Sequence, residues 1–106
     1  MNLETIEAEM RTGQVAPPRL AEMKDWLAAE SSSLMDRQLE LQLRYADFYE
    51  VHKPEQTDKG VLQSWRRTAQ GQEELTLEVR QKKIKNLREA ISSHLRVADN
   101  QARNLY

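Results

Sequence analysis

A chain of 106 residues has room for one hydrophobic core and little more. With 31% charged residues and only three glycines and three prolines, it excludes a turn-rich β protein and favours long, solvated helices. The net charge of −1 conceals a division: residues 1–56 carry 6 Lys+Arg against 11 Asp+Glu, whereas residues 57–106 carry 10 against 6.

The chain opens with a short predicted helix, residues 2–11. Asn2 supplies a cap, Glu4 an acidic first turn, and Leu3, Ile6 and Met10 an apolar face. Thr12 and Gly13 end it, and residues 13–18 form a linker, because Pro17 and Pro18 stop any helix arriving from before them. The segment carries three glutamates and no apolar run, so it does not read as a signal peptide.

Pro18 is suited to the first position of a long helix over residues 18–52. Leu20, Leu27, Leu34, Leu41 and Phe48 recur every seven residues, two helical turns, and so line one stripe. Met35, Leu39 and Ala46 form a second stripe about a third of a turn away, which calls for a second neighbour. Lys53-Pro54-Glu55-Gln56-Thr57 reads as a turn, with Thr57 or Asp58 capping the next helix.

That helix is expected over residues 58–103, roughly 70 Å at 1.5 Å per residue. Its own column is Leu77, Ile84, Ile91, Ala98 and Leu105, extended toward the turn by Leu62, Trp65 and Ala69. Gly71 lowers helix propensity, which leaves either a bend or a local fray open near it.

A turn this short sets the two long helices antiparallel, with opposed positions adding to about 110. Arg37 then faces Glu73, Arg80 faces Glu30, Lys85 faces Asp25 and Arg88 faces Glu22, so the charge division is answered inside the chain. Such exposed pairs are worth only ~0.2–1 kcal/mol each and select register rather than hold the helices together. The expected fold is all-α: a single helical domain, 1–106, built as a long antiparallel, coiled-coil-like hairpin plus a short N-terminal helix. By the same rule residues 93–106 outrun the first long helix and must pack on residues 2–11 or on another subunit. Self-association into a bundle would cover the second stripe too, with Met35, Leu39, Ala46, Leu95, Ala98, Ala102 and Leu105 as its candidate contacts.

The residues offer little catalytic chemistry. His52 and His94 are isolated, no HExxH occurs, and neither histidine has a glutamate three residues before it. The absence of cysteine removes a disulfide framework, a thiolate nucleophile and zinc–thiolate ligation, and fits a reducing cytoplasm. No cofactor, metal, membrane span or small-molecule substrate is called for. Two surfaces remain. Tyr45, Tyr49, Trp65, Arg66 and Arg67 gather near the turn, either as a local aromatic core or as a partner-binding patch of the residue types that dominate such sites. Arg80, Lys82, Lys83, Lys85 and Arg88 put five cations in nine residues, enough to contact several phosphates or to pair with the acidic helix.

The stretch Trp65-Arg66-Arg67-Thr68-Ala69-Gln70-Gly71-Gln72-Glu73-Glu74, the basic heptads after it and the ending from Leu95 to Tyr106 resemble small helical proteins encoded by bacteriophages and prophages. The resemblance covers roughly the last 40 residues and assigns no functional residue. It implies expression in a bacterial cytoplasm and binding to host or phage machinery, including inhibition of a host defence complex. The function expected is a non-catalytic interaction module acting as inhibitor, adaptor or scaffold. The alternative is a nucleic-acid accessory using Arg66, Arg67 and residues 80–88.

Overall fold

The computed structural model describes residues 1–104, with side chains to residue 103, and among them the fold is all-α. Its helices are α1 (Leu3–Thr12), α2 (Pro17–His52), α3 (Asp58–Arg66) and α4 (Ala69–Asn104), with a 3-10 turn at Lys53–Glu55 between α2 and α3. The chain groups into two compact units. The first comprises Met1–Ser31 and Lys82–Tyr106, the second Ser32–Gln81.

In the first unit, α1 is closed at both ends by the chemistry its sequence offers. Asn2 accepts from the Thr5 N–H at 2.8 Å while Thr5 Oγ1 accepts from the Asn2 N–H at 3.3 Å, a reciprocal cap. Gly13 takes the left-handed conformation at φ 69° and donates its N–H to the Met10 carbonyl. The core is Leu3 and Ile6 from α1, Leu20, Met23 and Leu27 from α2, and Ile84 and Ile91 from α4. Leu20, Leu27, Ile84 and Ile91 stand in the columns the periodicity assigns them, and Leu3 and Ile6 on the expected face of α1.

Ser93, His94, Val97, Ala98 and Gln101 share a groove with Val15, Pro17 and Leu20. Of these, Ser93, His94, Val97 and Gln101 remain exposed. The connector before α2 adds Val15 to the strip that α4 runs beside, so the strip does not stop where helix α2 begins. Lys85 and Arg88 miss their assigned partners. Both are exposed and make no ion pair among the described residues, while Glu22 pairs with Arg19 on its own helix at 3.3 Å. An arginine one turn away reaches the carboxylate without spanning two helices.

In the second unit, Leu41 of α2, Val61 and Trp65 of α3 and Leu77 of α4 are buried. Arg37 meets Glu73 and Tyr45 meets Trp65, so within this unit α2 runs antiparallel to the elements after the turn. The single helix expected over 58–103 is two helices here. Residues 67 and 68 are non-helical, and Thr68 caps α4, its hydroxyl accepting from the Gly71 N–H at 3.0 Å and donating to the Trp65 carbonyl at 2.6 Å. The interruption lies three residues before Gly71, and it rephases the apolar face: Ala69, expected inside, is exposed, whereas Val61, outside the expected face, is buried.

Candidate interaction surfaces

The aromatic group near the turn is a core with a rim. The Trp65 ring lies 5.4 Å from both the Tyr45 and Phe48 rings, and its residue is 2% exposed, with its indole N–H directed at Glu74. That burial decides between the two readings of Trp65: as core it has no face left for a partner. Tyr45 and Tyr49 are half-buried, and Tyr49 donates its hydroxyl to Asp58 at 2.6 Å. Lys53 sits 5.1 Å over the Tyr49 ring, and the hydrogen bond and negative partners around it raise its pKa. His52 stacks on Phe48 at 3.9 Å and bonds the Phe48 carbonyl at 2.9 Å, the helix-end role its position suggests. Arg66 and Arg67 are exposed.

The basic run is distributed around its helix. At 100° per residue its five positions are spread right round α4, with gaps of about 60–100° between neighbours on the wheel, so they point around the helix rather than along one side. Lys83 is paired with Glu7 at 3.5 Å, and Lys82, Lys85 and Arg88 are exposed.

Grooves indent the first unit, and two of them bear on the candidate residues. The one beside Leu20 measures about 550 Å³ and contains a single titratable side chain, His94. The other, about 350 Å³, lies between α1 and α4 and contains Glu7 and Lys83, which pair with each other. Neither brings two carboxylates together, or a nucleophile beside a base. Among the described residues there is no group of three or more His, Cys, Asp or Glu able to hold a metal ion, and no helix is long and apolar enough to cross a membrane.

The most pronounced surface feature is apolar. In the second unit Met35 is 62% exposed, Leu39 57% and Leu43 61%, with Ala46 exposed beside them. Leu43 was missed by the sequence reading, although its spacing of four from Leu39 was available as a signal. Of the other self-association candidates, Leu95 and Ala98 are half-buried in the first unit, with Ala98 on the groove beside Leu20, and Ala102 is exposed. Leu105 lies outside the described residues. Comparison with protein-family models, curated proteins and solved structures returned no match.

Proposed function

We propose that this chain is a non-catalytic helical interaction module, acting as an inhibitor, adaptor or scaffold through a helix face. The observation that carries this is the stripe of Met35, Leu39 and Leu43, each more than half exposed on three successive turns of one helix. Isolated exposed apolar residues are normal on a protein surface, but a contiguous row is a standing free-energy gain for whatever covers it. The resemblance to phage and prophage proteins adds a setting: a bacterial cytoplasm, with host or phage machinery as the partner.

The test is capture from bacterial lysate with the intact chain and with a Leu39→Glu, Leu43→Glu variant, identified by mass spectrometry. Both sites are exposed, so helicity by circular dichroism should be unchanged while a specific partner is lost. If no protein distinguishes the two baits, the reading fails. Binding to labelled DNA or RNA that fades with salt, and that Arg66→Ala with Arg67→Ala abolishes, would replace it with the nucleic-acid reading.

A further inference from the structure

We infer that the apolar stripe of α2 in the second unit receives an amphipathic helix from another protein, one carrying lysine or arginine along a single edge; this rests on the interaction reading above. The stripe fixes the shape of its occupant. Met35, Leu39, Leu43 and Ala46 fall within about 80° of arc and extend about 17 Å along α2, three turns at 1.5 Å per residue. A ridge of that length and width is the complement of another helix, read at every third or fourth position.

The charges beside the stripe fix the occupant's chemistry. Asp36, Asp47 and Glu40 follow it within about 60° on one side, and all three are exposed. Asp36 and Asp47 make no ion pair among the described residues, whereas Glu40 is engaged by Arg37. Arg37 is itself turned toward Glu73, and Arg44 lies further round, beyond Glu40. On the other side of the stripe stand Gln38, Gln42, Tyr45 and Tyr49, themselves uncharged, with Lys53 and Asp58, of opposite sign, both held about Tyr49. The face is therefore apolar in the middle, negative on one edge and neutral on the other.

That asymmetry disfavours the alternative occupants. A second copy laid antiparallel across a two-fold axis sets each acidic edge against its twin, and a parallel copy offers an edge whose cation, Lys53, already has Asp58 beside it about Tyr49, so neither supplies an unmatched row of cations. An anionic membrane surface and a nucleic acid are both repelled by Asp36 and Asp47. A helix with basic residues on the matching edge gains from both components of the face.

The experiment titrates the full chain with two labelled helical peptides sharing one leucine pattern, one edged with lysine and the other with glutamate, followed by fluorescence anisotropy. The lysine-edged peptide should bind at least threefold more tightly at low salt, with the difference shrinking at high salt. Asp36→Lys with Asp47→Lys should reverse the preference, and Leu39→Glu should remove binding of both peptides with helicity intact. Equal binding of the two peptides, or no binding of either, overturns the inference. So does a doubled mass by light scattering that Leu39→Glu returns to that of one chain, because the occupant is then a second copy. If the peptides fail while the lysate partner is still lost with Leu39 and Leu43, the basic-helix inference falls and the interaction reading stands.

Discussion

Gly71 lies so close beneath the carbonyl of Trp65 that a Cβ built on it would fall 2.0 Å from the oxygen and 2.7 Å from its carbon. The contact belongs to the corner where α3 ends and α4 begins. Only a residue without a side chain lets α4 start under the last turn of α3 while Thr68 caps it. This inverts the usual effect of Gly→Ala in a helix, which gains about 0.5–1 kcal/mol. The obstructing atoms are backbone and cannot swing aside, so Gly71→Ala should instead destabilise, by the ~1–3 kcal/mol typical of overpacking. Urea unfolding measures this directly, and a midpoint raised above that of the natural chain would refute it.

The same corner shows where a sequence stops being legible. Asn2, Gly13, Pro54 and Thr57 each carry their local role in their own side chain or ring, and the helix ends fall within a residue or two of where they point. The columns held for the same reason: Leu20, Leu27 and Leu41 are buried, as are Leu77, Ile84 and Ile91. Arg67 and Thr68 carry no such mark. The apolar phase through Leu62, Trp65, Ala69 and Leu77 mimics one continuous helix, and Gly71 reads as low propensity when its role is steric. Leu43, four residues after Leu39, belonged to the legible stripe; only the degree of its exposure was not legible. Exposure of an apolar residue depends on what the rest of the chain covers, which periodicity reports only as a stripe.

Trp65 belongs to the stability of the molecule. Its indole is enclosed by Tyr45 and Phe48, so Trp65→Ala should cost ~3–5 kcal/mol, as large aromatic truncations in cores do. Arg67→Ala, next to it in sequence but exposed, should stay within about 0.5 kcal/mol. Thermal melts of the two variants give the contrast, and a Trp65→Ala protein melting with the natural one would mean the ring is not core.

The pair Arg37–Glu73 tests the antiparallel packing of the second unit. The guanidinium donates to Glu73 from Nε at 2.8 Å and from Nη2 at 3.0 Å, and also contacts Glu40. Those hydrogen bonds, Glu73 first, raise the pKa of Arg37. Both side chains remain more than a third exposed, so the pair should contribute only ~0.2–1 kcal/mol. Arg37→Glu and Glu73→Arg should each destabilise slightly, and the double exchange should recover part of the loss. Strict additivity would mean the two residues do not interact.

Lys85 and Arg88 supply the opposite case. The register pairs them with Asp25 and Glu22, but both are exposed and without an ion pair among the described residues. Reversing both to glutamate should change stability by no more than about 0.5 kcal/mol. Lys83→Glu removes a contact to Glu7 and should be the more costly reversal, although it alters half as many charges. Denaturation midpoints at low salt separate these outcomes, and a larger loss from Lys85 and Arg88 would restore the original register.

Acid should weaken the junction of α1 with α2. Arg19 donates to Glu9 from Nη2 at 2.6 Å and from Nε at 3.0 Å, and these bonds hold the Glu9 carboxyl below its ordinary value. A group whose folded pKa is lowered contributes stability above its unfolded value, about 4.3 for glutamate. That contribution disappears as pH falls through the lowered folded value, because both states then carry the proton. At neutral pH the natural chain should therefore melt above Glu9→Gln, with the gap narrowing below about pH 4 and closing in stronger acid. The comparison is a series of melting temperatures for the two proteins from about pH 7 down to about pH 2. A gap that persists undiminished at the acid end would mean that Glu9 acts through its packing and not through its charge.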